Sequence, residues 1–189
     1  MSGAMTKIIL MRHGKPLLPG TGWIAPAEMG RWIESYNRSE IAAESIPAIS
    51  LDLASSASCV AASTLPRALL SVQALGQMPS VTDAVFCEAT LPFATWRRPR
   101  LPPAMWAAFF RLAWFFGYSR GSDSFRATQA RSKMAAEKLV DLAKAGSVLL
   151  VGHGIMNRLI AKELVAMGWS GPQKHKNHYW SASVYVLQP

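Results

Sequence analysis

Two histidines stand directly beyond short apolar runs near the two ends of the chain. Residues 8–11 (Ile-Ile-Leu-Met) lead into Arg12 and His13, and residues 148–151 (Val-Leu-Leu-Val) lead into a second glycine-flanked histidine, His153. The unperturbed pKa of histidine lies near 6.5, so a neutral imidazole nitrogen is available as a nucleophile at physiological pH. Arginine adds paired donors that match the oxygens of a phosphate. Brought together, these groups suit chemistry on an anion, phosphate above all.

Both apolar runs predict buried strands that end at tight turns. Parallel strands of an open α/β sheet deliver their carboxyl ends to the same edge, and ligands bind at that edge. We therefore expect His13 and His153 to lie across one pocket, although they are far apart in the sequence.

Two more candidate residues follow predicted strands. Residues 59–62 predict a short strand, and Arg67 falls beyond it in the first turn of a predicted helix, where free backbone amides and the helix dipole favour an anion. Glu88 follows a strand predicted over residues 81–86. Asp83 is the competing carboxylate, and its place inside that strand favours Glu88 over it.

Four blocks of the sequence resemble one known family. Residues 10–14 (Leu-Met-Arg-His-Gly) resemble the signature of the histidine phosphatase superfamily, also called phosphoglycerate mutase-like. Residues 62–68 (Ala-Ser-Thr-Leu-Pro-Arg-Ala) resemble its second arginine block, and residues 151–154 (Val-Gly-His-Gly) its second histidine block. Glu88 sits where many members keep their acid. The blocks occur in the family's order and span nearly the whole chain.

The resemblance and the demands of phosphoryl transfer give each residue an expected role. His13 is the expected nucleophile, forming a phosphohistidine, with its other ring nitrogen donating to a backbone carbonyl. Arg12 and Arg67 are expected to bind the phosphate, with His153 as a further donor, neutral or as imidazolium. Glu88 is the expected general acid, giving a proton to the leaving alkoxide and later taking one from water, and a raised pKa would favour that role. No cofactor and no metal is implied.

The loop after His13 departs from the family's pattern. Many members carry an acidic residue or glutamine there, followed by a small hydroxyl residue, whereas this chain has Lys15 and Pro16. The loop also lacks the asparagine that mutases of the family use as a phosphate ligand. These departures favour plain hydrolysis of an unidentified phosphorylated substrate, a small molecule or a phosphoprotein. The alternatives are a phosphoglycerate-type mutase and a non-catalytic protein that binds phosphate or anionic lipid.

The rest of the chain predicts strands alternating with helices, and hence a three-layer α/β/α sandwich with a mostly parallel sheet. Residues 5–189 are expected to form a single domain, preceded by a tail at residues 1–4. Residues 46–58 show no clear pattern. Four helices are predicted: residues 27–36, a segment that begins with Pro66, residues 123–145 and residues 155–167. Thr64 is the predicted cap of the second helix and Ser122 that of the third. A last strand is predicted over residues 181–187, at an edge of the sheet.

Residues 89–118 break the α/β alternation, with prolines at the start and aromatic residues at the end. We interpret them as an inserted cap with one short helix, covering the crevice. The stretch is too short to cross a bilayer, because Arg111 interrupts it and two prolines precede it. The alternative is a peripheral contact with a membrane surface.

Composition narrows the class of partner. The chain of 189 residues has a net charge of +9, which attracts anions. No recognisable nucleic-acid module accompanies this charge, so we expect a phosphorylated substrate and no nucleic acid. Cys59 and Cys87 form no metal-binding set, and no secretory signal is evident, so both thiols are expected to be reduced in a cytoplasmic protein. The oligomeric state is left open.

Overall fold

The computed structural model describes residues 6–18, 20, 22–173 and 175–187. The predicted tail at residues 1–4 and the expected first domain residue, residue 5, lie outside these ranges. The described strands are β1 (Lys7–Arg12), β2 (Cys59–Ala62), β3 (Val81–Thr82), β4 (Val148–Gly152), β5 (Trp169–Ser170) and β6 (Ala182–Leu187). They form one sheet in the order β3-β2-β4-β1-β6-β5. Strands β1 to β4 are parallel, and β6 and β5 are added antiparallel, so the predicted mostly parallel sheet is confirmed.

Helices cover both faces of this sheet, which confirms the predicted three-layer architecture. The described α-helices are α1 (Met29–Asn37), α2 (Ala48–Ser55), α3 (Pro66–Ala74), α4 (Pro103–Phe115), α5 (Phe125–Ala143) and α6 (Gly154–Ala166). Alternation along β1 divides the core: Ile8 and Leu10 pack in one cluster with α5 and α6, and Ile9 and Met11 pack in another with α2 and α3. Each side chain of β1 from Ile8 to Met11 is fully buried.

The strand predicted over residues 81–86 is wrong beyond Thr82. The Asp83 side chain accepts a hydrogen bond from the Val85 backbone amide at 2.8 Å, which turns the chain into a 3-10 helix over Ala84–Phe86. Asp83 therefore acts as a local cap, the use that short polar side chains commonly have at such turns.

The predicted helix caps are also wrong in position. The N-cap of α3 is Leu65, with no side-chain cap, because Thr64 lies one residue too early. The cap of α5 is Ser124, whose hydroxyl accepts from the Ala127 amide at 3.1 Å, so α5 is shorter at both ends than the predicted 123–145. Ser122 lies two residues before this N-cap position, so it is not the cap.

Two elements were missed and one was misplaced. Helix α2 occupies the stretch that carried no clear pattern, and β5 was not predicted at all. Because β5 pairs with β6, the predicted edge position of the last strand is wrong: β6 lies between β1 and β5. A two-residue strand such as β5 is too short to show alternation.

The predicted cap segment contains one helix, α4, which packs on α1. A third apolar cluster joins them through Met29, Trp106 and Phe110. The Trp106 indole donates to the Ile24 carbonyl at 2.9 Å, which fixes α4 to the loop ahead of α1. Within the described ranges, none of the helices has the length and apolarity needed to span a membrane.

Candidate active site

His13 and His153 lie side by side at the carboxyl edge of the sheet. Strands β1 and β4 are paired in register, with Arg12 opposite Gly152, so the next residue of each strand is a histidine. The His13 amide donates to the Gly152 carbonyl at 3.0 Å. The two imidazole centroids are 5.0 Å apart. The structure thus brings together the two residues that the sequence analysis placed across one pocket.

The His13 ring is held in one orientation. Its Nδ1 lies 2.6 Å from the Gly14 carbonyl oxygen, so Nδ1 is the donor and the lone pair is on Nε2. The residue is only 2% exposed. Burial lowers the pKa of His13 to about 3, with the charge of Arg67 acting in the same direction. The ring is therefore neutral at physiological pH, as an attacking nitrogen must be.

His153 is fully buried beside it. The Ser63 hydroxyl lies 2.6 Å from its Nε2, while its Nδ1 has no hydrogen-bond partner among the described residues. Burial lowers the pKa of His153 well below the ordinary value, and the neighbouring His13 and Arg67 lower it further. Without a bound anion the ring is neutral, so a protonated His153 would require the charge of a phosphate next to it.

Both arginines lie beside aromatic rings rather than carboxylates. The Arg12 guanidinium lies 4.1 Å from the Tyr179 ring centroid and donates to the Asn177 carbonyl at 2.5 Å. The Arg67 guanidinium lies 4.7 Å from the Tyr36 ring centroid. Within the described part of the chain, neither arginine forms a salt bridge. Arg67 is buried and Arg12 half-buried, and a buried cation without a paired carboxylate is costly, so this arrangement favours binding of an anion.

Arg67 is held by the end of α1 and is 1% exposed. Its Nη1 donates to the Tyr36 carbonyl and to Asn37 Oδ1, both at 3.3 Å, and its Nε is buried without a partner. Burial lowers the pKa of Arg67, and an arginine nevertheless remains charged at neutral pH. The first turn of α3 therefore presents a fixed positive charge with unused donor capacity.

Glu88 caps the helix that follows His153. Its Oε1 accepts from the Met156 amide at 3.0 Å and from the Ala89 amide at 2.9 Å, and its Oε2 accepts from the Ile155 amide at 3.2 Å. These bonds place the carboxylate at the N-terminus of α6, where the helix dipole favours negative charge. These contacts of the Glu88 carboxylate are all with backbone N–H groups.

Arg131 of α5 fixes the segment that carries Glu88. Its guanidinium donates to the carbonyls of Val85, Cys87 and Glu88, at 3.2, 2.5 and 3.3 Å. Asp83, the competing carboxylate, points elsewhere and forms a short ion pair with Lys138. That bond lowers the pKa of Asp83. Of the two carboxylates weighed in the sequence analysis, only Glu88 lies at the site.

A cavity of about 590 Å³ opens beside these residues. Arg67 and Glu88 line it, whereas the buried His13 and His153 are not among its lining residues. Most of its walls are apolar side chains from α1, α4 and the loops between β2 and α4: Trp32, Ile33, Leu65, Leu91, Pro102, Pro103, Ala104 and Ala107. The Arg111 guanidinium also lines it, with Nη2 donating to the Ala89 carbonyl at 2.9 Å and Nη1 buried without a partner. The cavity suits a phosphate ester with an apolar body.

Several site residues were missed by sequence reasoning. Ser63 follows β2 directly, and the same strand-end logic that singled out His13 could have found it. The others belong to distant segments and carry no local signal: Tyr36, Asn37, Arg111, Arg131, Asn177 and Tyr179. Cys87 lines the cavity as a free thiol, and Cys59 is also free. No group of three or more metal-ligating side chains occurs among the residues the structure describes.

Each glycine next to a catalytic candidate allows close packing. A Cβ on Gly14 would overlap the Trp180 ring, and one on Gly152 would overlap the Asn157 amide. Trp180 itself adopts a positive φ of 62°, and its amide donates to the Arg12 carbonyl at 3.1 Å. The C-terminal loop is therefore fitted tightly against the end of β1.

We expect the substitution Gly14→Ala to lower the free energy of unfolding by about 1–3 kcal/mol, the usual cost of overpacking. Gly22→Ala is the control, because nothing lies within 4 Å of a Cβ there. We expect that control to change stability by less than about 0.5 kcal/mol. Urea denaturation of both variants measures the difference, and equal stabilities would contradict the close packing.

Acidification is expected to destabilise the protein through the buried histidines. The pKa of His13 is about 3 in the folded state, against the ordinary 6.5, so between these values the unfolded chain binds more protons. The stabilisation is complete above pH 6.5 and is lost as the pH falls toward 3, by about 2 kcal/mol at pH 5 for this residue. Denaturation of the wild type and of His13→Asn at pH 7 and pH 5 checks this. Equal pH dependence in both would contradict it.

Comparison with known proteins identifies the family of this chain. The sequence profile of the Histidine phosphatase superfamily (branch 1) matches residues 8–189. A search of curated protein sequences found no significant match. Among solved structures, the product of the open reading frame Rv3214 from Mycobacterium tuberculosis has a TM-score of 0.61 at 13% sequence identity, over 94% of this chain and 89% of that one.

Two further solved structures with this fold are phosphatases. Phosphoserine phosphatase from Entamoeba histolytica, in complex with 3-phosphoglyceric acid, has a TM-score of 0.53 at 20% identity, over 95% of this chain and 90% of that one. Mycobacterial glucosyl-3-phosphoglycerate phosphatase Rv2419c, in complex with VO3, has a TM-score of 0.57 at 18% identity, over 96% and 90%. At these identities the likeness shows a shared fold.

Proposed function

The chain belongs to branch 1 of the histidine phosphatase superfamily, and from this premise we propose that it is a phosphomonoester hydrolase that works through a phosphohistidine on His13. One observation supports this most: a neutral imidazole, oriented by the Gly14 carbonyl, lies beside a second imidazole and near two arginines that lack a carboxylate partner in the described structure. Such a site has a nucleophile and donors for the oxygens of a phosphate. The positive charge of its two arginines would be balanced by a bound phosphate.

The reaction has two steps in this proposal. In the first, His13 Nε2 attacks phosphorus and the bond from phosphorus to the ester oxygen breaks. Glu88, which must take up a proton before this step, gives that proton to the ester oxygen. In the second, water attacks the phosphohistidine, Glu88 takes a proton from the water, and phosphate leaves with His13 restored. Arg12, Arg67 and His153 hold the oxygens of the transferring group, which is where charge must be stabilised.

The cavity suggests which esters fit. Its apolar walls suit a hydrocarbon or aromatic body attached to the phosphate, since burial of apolar surface contributes about 25 cal/mol per Å². The unpartnered Nη1 of Arg111 suits an acceptor group on that body. We therefore propose a phosphate monoester with an apolar portion as the substrate class.

Hydrolysis of p-nitrophenyl phosphate in the presence of a chelator tests the proposal. We expect turnover that vanadate inhibits, and a phosphoenzyme that is stable in alkali and labile in acid. The absence of turnover on a broad panel of phosphate esters would favour a non-catalytic binding protein. Isomerisation of phosphoglycerate that depends on a bisphosphate primer would favour a mutase.

The role of Glu88 is tested by the leaving group. We expect Glu88→Gln to reduce kcat/KM for an alkyl phosphate, which reports the first step and not the hydrolysis of the phosphohistidine, by about 10²–10⁴-fold, the usual contribution of general acid catalysis. The loss with p-nitrophenyl phosphate should be much smaller, because p-nitrophenolate leaves without a proton. Asp83→Asn is the matched control, since that carboxylate is paired with Lys138 away from the cavity. An equal loss on both substrates would indicate that Glu88 only caps helix α6 and does not act as the general acid.

A further inference from the structure

Helix α4 is apolar except for Arg111, but it is covered on only part of its surface. One face packs into the protein through Trp106, Phe110 and Trp114. A second face, with Ala104, Ala107 and Arg111, lines the cavity. The third face is exposed and consists of large apolar side chains at helical spacing, here called the α4 stripe: Met105, Phe109, Leu112 and Phe116.

The exposure of the α4 stripe is unusually high for such residues. Met105 is 54% exposed, Phe109 47%, Leu112 59% and Phe116 85%. The spacing of these residues places them in one row along the helix. Helices that are apolar all round are normally buried, and contiguous exposed apolar surface marks an interaction site. Something is therefore expected to cover this row.

Exposed arginines follow two aromatic residues that pack against α4. Trp96 packs on Phe109 of the stripe with ring centroids 6.4 Å apart, and the exposed Arg97 and Arg98 follow Trp96 in the sequence. Phe125 packs on Phe115, beside the stripe residue Phe116, at 5.6 Å, and the exposed Arg126 follows Phe125. The acidic Asp123 in this region faces Arg131, 3.9 Å away. The surface around the stripe is positively charged, as is the whole chain at +9.

We propose that the α4 stripe docks on the surface of an anionic lipid bilayer. Apolar side chains of a helix that lies in the plane of the interface enter the headgroup region, and flanking arginines attract the acidic headgroups. A helix of this length, about 20 Å, lies on a bilayer rather than across it. The proposal is independent of catalysis by the neighbouring site.

The charges also favour a bilayer over a second copy of the chain. A second copy docked on the α4 stripe would bring the same net charge of +9 and the same exposed arginines to the interface. Like charges facing each other across an interface cost free energy. An anionic surface meets the same arginines with opposite charge. Docking would also hold the cavity beside the bilayer, because the adjacent face of α4 lines it.

Co-sedimentation with vesicles tests the proposal, using phosphatidylcholine alone and phosphatidylcholine mixed with phosphatidylglycerol. We expect the wild type to bind the mixed vesicles and to bind pure phosphatidylcholine at least tenfold more weakly. The double variant Leu112→Glu/Phe116→Glu should lose at least tenfold in binding. The control Met78→Glu/Met134→Glu makes the same change in charge at residues that are 85% and 61% exposed elsewhere, and it should retain more of the binding.

A second variant tests the charges. Arg97→Ala/Arg98→Ala should weaken binding to the mixed vesicles by about fivefold for each arginine removed and leave binding to neutral vesicles unchanged. Unchanged unfolding transitions and p-nitrophenyl phosphate hydrolysis in all variants show that they fold. Failure of the wild type to bind mixed vesicles overturns the proposal, and so does equal binding by the two glutamate double variants. A lipid-free dimer in sedimentation analysis that Leu112→Glu/Phe116→Glu dissociates would assign the stripe to a second copy.

Discussion

Replacement of His13 by asparagine is expected to reduce kcat by about 10⁴-fold or more, with phosphoenzyme formation abolished. The loss is this large because the substitution removes the nitrogen that would attack phosphorus. His153 is its only histidine neighbour in the described site, and its Nε2 is engaged with the Ser63 hydroxyl at 2.6 Å. Steady-state hydrolysis and alkaline-quench trapping of the labelled protein measure the two effects.

His178→Asn is the matched control for this experiment. His178 is exposed, and its backbone carbonyl accepts hydrogen bonds from the Ser181 amide and hydroxyl. We expect the control to retain wild-type kcat. A His13→Asn protein that still turned over within tenfold of the wild type, with a native unfolding transition, would remove His13 from the chemistry.

The substitution Arg67→Lys is expected to lower kcat/KM by about 10²–10³-fold, the usual cost of removing a donor that stabilises the transition state. Lysine keeps the positive charge but lacks the planar fork. It also cannot hold the Tyr36 carbonyl and Asn37 Oδ1 and still present unused donors to a phosphate. The effect should therefore exceed what a change in charge position alone would produce.

Arg38→Lys provides the comparison. Arg38 is close in sequence to the α1 end that holds Arg67, but its side chain is 81% exposed and its ion pair with Glu34 spans 3.9 Å. Such surface pairs contribute little. We expect wild-type kcat/KM from Arg38→Lys. If Arg67→Lys also behaved like the wild type, Arg67 would serve only to join α1 to α3.

The residues at the sheet edge were predictable because each follows a strand that its own short stretch of sequence indicates. Residues 8–11 and 148–151 are continuous apolar runs, as expected for strands covered on both faces, and a histidine follows each. Parallel pairing then requires the two histidines to meet. Arg67 could be added because Pro66 marks the start of a helix. These residues are positioned by the ends of elements, and element ends carry signals in the sequence.

The surroundings of the site were not predictable in the same way. Asn37 reaches Arg67 from α1, Arg131 reaches the Glu88 segment from α5, and Tyr179 lies against Arg12 from the C-terminal loop. Each contact joins segments far apart in sequence, so no periodicity or spacing reports it. Asp83 shows that sequence patterns can also fail within one segment. Its side chain accepts a hydrogen bond from the Val85 amide, and the chain turns there although the pattern predicted a strand.

The near-complete burial of His13 has a consequence for how the enzyme would use its substrate. Phosphorus must approach to about 3–3.5 Å from an attacking atom, and His13 is 2% exposed, with the Tyr179 ring 5.7 Å from its own. Because so little of the ring is open, phosphorus must be held in one narrow position to reach it, and holding it there costs free energy. A substrate whose body fills the cavity can offset the cost through contacts remote from phosphorus, so truncated esters should lose turnover rate as well as affinity.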